Sequence, residues 1–338
     1  MYAIKVDLKK AEEAKKYLIS ENNLSKNYKI LKKGQFVYFP IDSKSKISKK
    51  YSVVKADLPK RNKEEKNLRN KIVDKLTKKE QQKLKTAFDQ VGTIAILEID
   101  EGLRKKEKII AEALLNINSQ IKTVLRKADW HSGVFRTQKM KYLAGEKTKE
   151  TEYKEHGVKL CLDVEKVYFS PRLSTERKRI YKQIKRGEEI LVMFSGCAPY
   201  PCVFSKNSHA SIIYGVEINP VGHEYGLKNV KLNKLDNINL FLGDVRKVVP
   251  KFKKKFDRIL MPLPKSAEDF LDIALGVVKD NGIIHFYDFL HEDEFDKAKE
   301  KIKKACKKDG KKCKILRLVK CGQHSPRTYR LCVDFRVN

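Results

Sequence analysis

Residues 189–218 read EILVMFSGCAPYPCVFSKNSHASIIYGVEI. An apolar run over 189–194 meets a turn at Ser195-Gly196, and a second run over 211–218 closes on the acidic Glu217. Two short buried strands separated by a helix-length segment predict a βαβ unit. The alternation continues to the C-terminus: a helix over NPVGHEYGLKNVKLN, strands INLFLGDV and DRILMPLP, a helix over SAEDFLDIALGVVK, strand GIIHFYDF, a basic helix over 291–308, then strands KILRLVK and TYRLCVDFRV. Alternating β and α units give an α/β, doubly wound parallel sheet whose ligand lies at the carboxyl ends of the strands. The last two strands have no helix between them and predict an antiparallel edge hairpin.

Upstream the pattern differs. Residues 1–60 read as a small basic α/β domain, opening on the strand YAIKVD and the helix KKAEEAKKYLISENN. Residues 61–85 form a charged, glycine-free segment suited to a linker or a surface helix. From 86 to 170 a second α+β module begins with VGTIAILEID and ends in VKLCLDVEKVYF, and the third domain spans 171–338. A chain of 338 residues exceeds what one hydrophobic core supports, so several domains are expected.

Lys and Arg number 75 against 43 Asp and Glu, a net charge of +32. That excess points to a polyanionic partner, nucleic acid first, with part of it attributable to a lysine-biased composition. Hydrophobic residues at 41% suffice for packed cores and exclude a disordered chain. No apolar stretch approaches the roughly 20 residues of a membrane span, and the N-terminus alternates like a strand rather than a signal peptide. A soluble, cytoplasmic protein is expected. The seven cysteines include no C-x-x-C pair, which argues against a zinc ribbon. Cys306 and Cys313 flank the turn KKDGKK, leaving a disulfide between them open.

A strand, a glycine turn and an acid ending the next strand is the arrangement that binds an adenine nucleoside, the carboxylate accepting both ribose hydroxyls. Gly196 and Glu217 lie 21 residues apart, near the expected spacing. The turn carries one glycine where a pyrophosphate site would need G-x-G-x-x-G, so S-adenosylmethionine fits better than a dinucleotide. Gly243-Asp244-Val245 ends the third strand where an adenine amino group needs an acceptor. The fourth strand leaves through Met261-Pro-Leu-Pro-Lys265, a stiff loop against which a flat base can pack.

The runs FSGCAPYP, VEINP, GDVRKV and MPLPK, preceded by DQVGTIAIL, VFRTQKMKYLAGE and VYFSPRLSTERKRI, resemble the archaeal and eukaryotic tRNA (guanine-37-N1)-methyltransferases over nearly the whole chain. The resemblance implies a Rossmann-like class I methyltransferase domain preceded by two smaller α+β domains, the first docking on the tRNA elbow and the rest on the anticodon loop. It implies S-adenosylmethionine as cofactor and guanosine 37 as methyl acceptor. A monomer is expected, because several domains of one chain can grip an L-shaped substrate.

By that resemblance Arg136 contacts the guanine oxygen and Glu176 is the general base. Tyr168 packs beside the cofactor pocket, Glu217 accepts from the ribose and Asp244 from adenine, with Phe194, Gly196, Ile218 and Val245 around them. Pro262, Pro264 and Lys265 meet the acceptor base. Two positions depart from the family: Val192 replaces the usual Asp ending strand one, and Pro262 the usual Asn. Both departures resemble an archaeal branch with some members that also methylate C7 of 4-demethylwyosine, which leaves one product or two open.

Guanine N1 carries a proton at neutral pH, so a base must remove it; burial that raises the Glu176 carboxyl would suit it to the task. The competing reading of Glu176 is an exposed acid in a basic helix, since Arg177, Lys178 and Arg179 follow it, and that of Arg136 is a phosphate contact. Trp130 and His131 are read as packing residues, and Cys202 as a core cysteine rather than a nucleophile. Competing classes are a non-catalytic RNA-binding protein that kept the fold and a nicotinamide-dependent oxidoreductase, the latter disfavoured by the missing glycines.

Overall fold

The computed structural model describes residues 1–45, 47, 50–60, 67–129 and 133–338. They form two compact units, Met1–Gln82 and Lys83–Asn338. In the first, the elements run β1 (Tyr2–Asp7), α1 (Ala11–Ser20), β2 (Leu31–Lys33), β3 (Phe36–Pro40), β4 (Ser52–Lys55) and α2 (Leu68–Ile72). The sheet order is β2-β3-β1-β4, with β1 antiparallel to both neighbours. Alternation along β1 and β3 puts Ile4, Val6, Val37 and Phe39 into one core, against Ala14 and Leu18 four residues apart on α1. The charged segment expected as a linker holds α2 and α3 (Lys78–Lys83); its residues 61–66 lie outside the described ones.

The second unit opens with β5 (Phe88–Val91), β6 (Ile94–Leu97), α4 (Glu107–Ile117), β7 (Thr123–Lys127) and β8 (Met140–Gly145), a sheet in order β5-β6-β7-β8. The β5–β6 turn requires glycine: at Gly92 φ is +56°, and a Cβ would stand 2.3 Å from the Glu152 carbonyl oxygen. Next come the hairpin β9 (Glu150–Glu155) and β10 (Val158–Asp163), then α5 (Ser174–Tyr181).

The third pattern follows as β11 (Glu189–Met193), α6 (Pro199–Asn207), β12 (Ile212–Glu217), α7 (Pro220–Leu232), β13 (Ile238–Leu242), α8 (Val245–Val248), β14 (Phe256–Met261), α9 (Leu271–Val277), β15 (Val278–His291), α10 (Asp296–Lys308), β16 (Cys313–Ser325) and β17 (Thr328–Val337). Seven strands order as β13-β12-β11-β14-β15-β17-β16, parallel through β15 and antiparallel at β17 and β16. The expected doubly wound sheet and its edge hairpin are both present. Two boundaries move. Strand β15 starts at Val278 rather than Gly282, because Val278 pairs with Phe256 across a register shift. It also runs through His291, so the basic helix begins only at Asp296. All seven cysteines are free thiols, so Cys306 and Cys313 are not bridged. Burial and a hydrogen bond with Cys313 push the Cys306 thiol up to about 12.

One amide joins the β9–β10 hairpin to the large sheet. Asn229, fully buried on α7, accepts from Cys161 N at 2.7 Å and donates to Cys161 O at 3.0 Å and Cys197 O at 2.9 Å. Asn233, one turn on and half-buried, repeats the bracket on Lys159 N and O with bonds exposed to solvent. Losing a buried partner strands the groups it satisfied, at about 1–3 kcal/mol each, whereas exposed groups turn to water. Asn229→Leu is therefore expected to lower unfolding free energy by about 3 kcal/mol and Asn233→Ala by less than about 1 kcal/mol. Urea denaturation midpoints of the two variants check this ordering.

Candidate active site

The sheet leaves β11 flanked by β12 on one side and β14 on the other, so a crevice opens beyond its carboxyl end. The chain leaves β11 through Phe194, Gly196 and Ala198, all with φ near +61°, +56° and +61°. Gly196 serves by conformation rather than space, since its nearest neighbour to an added Cβ would be Tyr168 O at 3.7 Å. The Gly196 N–H donates to Glu217 Oε2 at 2.6 Å, and Asn219 N to Oε1 at 2.7 Å. The Ile218 N–H bonds the same carboxylate, so the backbone fixes its aim toward a ribose hydroxyl. Burial raises the Glu217 carboxyl above its ordinary value against these backbone donors, so hydroxyl donors from a ligand would favour its charged form. Ile218 follows, half-buried.

Asp244 ends the next strand. It caps α8 by accepting from Arg246 N at 2.9 Å and pairs with the Arg246 guanidinium at 2.6 Å, while Val245 packs into the core behind it. Phe194 meets Phe270 edge-on at 5.0 Å, and Tyr168 OH accepts from Arg330 Nη2 at 2.7 Å. Val192, the departure on β11, is fully buried among Ile190, Ala198 and Leu260 and offers the crevice nothing polar.

Beyond β14, Pro262 and Pro264 have no N–H, and the Leu263 N–H is spent on Met261 O at 2.7 Å. The exit over 262–264 therefore presents acceptors without backbone donors, which suits a base edge carrying N–H groups. Pro264 is buried and its carbonyl accepts from Phe289 N at 3.1 Å, fixing the exit to β15; Lys265 is exposed. Arg136, at φ +51°, donates to Lys265 O and to Ser266 Oγ at 3.2 Å. The structure thus brings Arg136 and the β14 exit together, although 129 residues separate them.

Glu176 is not the exposed acid that its basic neighbours suggest; it is 4% exposed. Arg177 turns the other way, into an ion pair with Glu155 whose side chains are 1% and 2% exposed, and only Lys178 of the three cations is exposed. Arg179 grips Glu176 with Nε to Oε2 at 2.7 Å and Nη2 to Oε1 at 2.8 Å. The same guanidinium grips Asp334 on β17 at 2.5 and 3.0 Å, and Tyr287 OH on β15 donates to Glu176 Oε1 at 2.7 Å. Behind them His285 bonds Asp334 through Nδ1 at 2.6 Å, and its Nε2 meets Arg258 Nη1 at 2.8 Å. A guanidinium only donates, so Nε2 accepts and the imidazole is neutral with its proton on Nδ1. Arg258 closes the series on Glu188 at 2.7 and 3.0 Å.

Burial raises the Glu176 carboxyl, but the hydrogen bonds and charge of Arg179 outweigh it, with help from Tyr287, and hold the group below its ordinary value. This corrects the expectation of a carboxyl raised by burial: desolvation is overcome by a bidentate cation. Asp334 is likewise buried yet held well below the carboxylate range, first by the His285 hydrogen bond and then by Arg179. Burial keeps His285 neutral. His285, Cys332 and Asp334 offer atoms within 4.8 Å of one another, but two guanidinium groups contact the cluster, an environment hostile to a cation.

The sequence reading missed Arg179, Tyr287, His285 and Asp334. Their signal was a polar residue within otherwise apolar strands, as in IIHFYDF and LCVDF. Trp130 and His131 lie outside the described residues. Two carboxyls that titrate low mean that the folded state binds fewer protons than the unfolded one in acid. The stability they give is complete above about pH 5 and lost as pH falls below about 4. Asp334→Asn, which leaves Arg179 half-paired, is expected to cost about 3 kcal/mol at pH 7 and to flatten the acid limb. Denaturation from pH 7 to pH 3 measures both.

The comparisons with known proteins agree along the chain. The TRM5/TYW2 methyltransferase domain matches residues 151–316, the TYW2 N-terminal domain 68–148 and the tRNA methyltransferase 5 N-terminal domain 3–49. The tRNA (guanine(37)-N(1))-methyltransferase Trm5b of Pyrococcus abyssi is 36% identical over 99% of both chains. The tRNA (guanine(37)-N(1))/4-demethylwyosine(37)-methyltransferase Taw22 of Nanoarchaeum equitans is 34% identical over 63% of this chain and 88% of that one. The fold matches aTrm5 in its complex with tRNALeu at a TM-score of 0.73, 34% identity and full coverage of both chains. It matches Methanocaldococcus jannaschii Trm5 in complex with adenosine at 0.68 and 33%, over 100% of this chain and 99% of that one. With a curated relative this similar from end to end, and the strand-end crevice in place, the chain belongs to the TRM5/TYW2 methyltransferase family.

Proposed function

We propose that this protein methylates N1 of guanosine 37 in tRNA, with S-adenosylmethionine as donor. The reading rests above all on one observation: a buried carboxylate, Glu176, held by Arg179 and by Tyr287, which follows the last residue of β15 paired with β14, in a chain 36% identical end to end to a guanine-37 methyltransferase. The cofactor residues fit an adenine nucleoside without phosphate: a single-glycine turn, Glu217 aimed by backbone N–H donors, and Asp244 at the next strand end. S-adenosylmethionine supplies the electrophilic methyl group.

The protein's own groups then have three tasks. Arg136, already anchored on Lys265 O, stabilises the negative charge that builds on guanine O6. The proline exit holds the extruded base flat so that N1 is in line with the methyl, after unstacking at a cost of a few kcal/mol. Glu176 takes the N1 proton. Its low position keeps it ionised and ready at neutral pH, and Asp334 makes the transfer tolerable: when Glu176 becomes neutral, Arg179 stays paired rather than stranded as a buried cation. We assign residues 1–60 to the tRNA elbow, 61–85 to a charged linker and 86–170 to the anticodon side; 171–338 carries the transfer, and a cytoplasmic monomer suffices.

Val192 and Pro262 favour a second activity, C7 methylation of 4-demethylwyosine, by their likeness to an archaeal branch some of whose members carry it, and Taw22 of Nanoarchaeum equitans, named for both activities, is 34% identical. Nucleoside mass spectrometry decides between one product and two. The protein and S-adenosylmethionine are incubated with tRNA bearing unmodified guanosine 37 and with tRNA bearing 4-demethylwyosine. Methyl on both is the expected result, methyl on the first alone restricts the enzyme to N1, and methyl on neither overturns the proposal. Glu176→Gln is expected to slow transfer by about 10²–10⁴-fold with tRNA binding retained; lost binding would make the residue structural.

A further inference from the structure

The tip of the β16–β17 hairpin stands at the carboxyl edge of β15, and its side chains have no part in the chemistry above. In register, Arg330 faces Phe289, as Cys332 faces Tyr287 and Asp334 faces His285. Alternation puts all six on one face of the sheet, a stripe that runs from the buried clamp on Glu176 out to the open end. At that end the His324 ring stacks on Phe289, with centroids 4.1 Å apart and planes at 26°. The Arg330 guanidinium lies 5.1 Å from the centre of the same phenyl ring and donates to Tyr168 OH. Phe289 is tied to the base-facing exit by its N–H on Pro264 O.

Three features of this group suit a ligand. His324 is an exposed residue whose ring has one face backed by Phe289, so the other face is open for stacking. Partial burial and the nearby charges of Arg330 and Lys265 hold its imidazole below the ordinary value, so it is neutral near pH 7 and adds no cation that would cost desolvation. The Arg330 Nε–H is buried and has no acceptor among the described residues, whereas buried donors are normally satisfied. An aromatic face, a guanidinium with a spare donor and the exposed Lys265 are the parts from which single-stranded nucleic-acid sites are built.

We propose that Phe289, His324 and Arg330 form a second nucleotide subsite, which takes the base next to the methylated guanosine on the open face of His324 and a phosphate of the same strand on Arg330. The proposal rests on the reading of the strand-end crevice as a tRNA site and adds how the strand is held once its guanosine has left the stack. Extrusion breaks the stacking of that guanosine with its neighbour; a protein ring that replaces it recovers part of the cost.

The test uses the full-length protein and anticodon-loop tRNA with 2-aminopurine at position 36 or 38, read by fluorescence on binding and by methyl transfer. Stacking should change the 2-aminopurine fluorescence at one of the two positions with the wild type and with His324→Phe, and leave it unchanged with His324→Ala. KM for tRNA should rise about tenfold in His324→Ala, with kcat within about twofold. Arg330→Gln should raise KM and lower the salt dependence of binding by about one phosphate contact. An unaltered KM and fluorescence response in His324→Ala would overturn the subsite while leaving the methyltransferase reading intact. A wild type that gives the fluorescence change but transfers no methyl would do the reverse.

Discussion

Arg179 is the constraint on which the site depends. One guanidinium holds two carboxylates from different elements, Glu176 on its own helix and Asp334 on β17, through four hydrogen bonds of 2.5–3.0 Å. The geometry is possible because a planar fork with five donors can face two acceptor pairs at once, which an ammonium group cannot. Its consequence is positional. Helix α5 is fixed to the large sheet by Glu176 and Arg179, and to the β9–β10 hairpin by Arg177 through Glu155, so one turn of helix locks the hairpin to the methyl-transfer sheet. The Arg177–Glu155 contact is buried and the Arg179 contacts are partly so, and breaking a buried pair leaves an uncompensated charge, typically at about 3–5 kcal/mol.

The crevice is built by a different means, backbone conformation. Phe194, Gly196 and Ala198 all take positive φ, and the turn they make is closed by the Glu217 carboxylate on Gly196 N. Gly215 and Gly226 let strand, turn and helix approach: a Cβ on Gly215 would stand 2.6 Å from Leu240 Cδ2, and one on Gly226 2.9 Å from Leu240 Cδ1. The turn is thus stiff before any ligand arrives, and the acid that would meet a ribose is already aimed by the backbone it braces.

How much of this was legible follows from distance along the chain. The βαβ repeats, the glycine turn and Glu217 were readable because each is local, set by alternation, turn chemistry and a spacing of 21 residues. The edge hairpin was readable because no helix separates its strands. The clamp was not, because Arg179 and Asp334 are 155 residues apart and Tyr287 and Glu176 are 111 apart. Locally, Glu176-Arg-Lys-Arg179 reads as a solvated basic face, and nothing near it says that two of those cations have buried acids waiting on other elements. The start of β15 was missed for a related reason: Lys279, Asp280 and Asn281 look like a turn before Gly282, and only the neighbouring Phe256 makes Val278 part of a strand.

Counting charge along the buried series gives the clamp its chemical meaning. Glu188, Asp334 and Glu176 are acids, Arg258 and Arg179 are cations, and His285 is neutral, so three negative charges face two positive ones. Glu188 ends the series on Arg258, Asp334 lies between His285 and Arg179, and Glu176 is the other end, bonded to Tyr287, the residue that follows the last β14–β15 pair, Met261 with Phe286. Glu188 has Arg258 to itself, whereas Asp334 and Glu176 share Arg179, so the surplus charge lies on the group that contains Glu176. In a low-dielectric interior one surplus negative charge is costly, and accepting a single proton removes it without breaking any arginine's last ion pair. A simple Arg–Glu pair would resist protonation, because the acid is all that keeps the cation satisfied. With Asp334 as a second partner the resistance is lower, and a carboxylate that stays ionised at neutral pH can still receive the proton of a nucleobase.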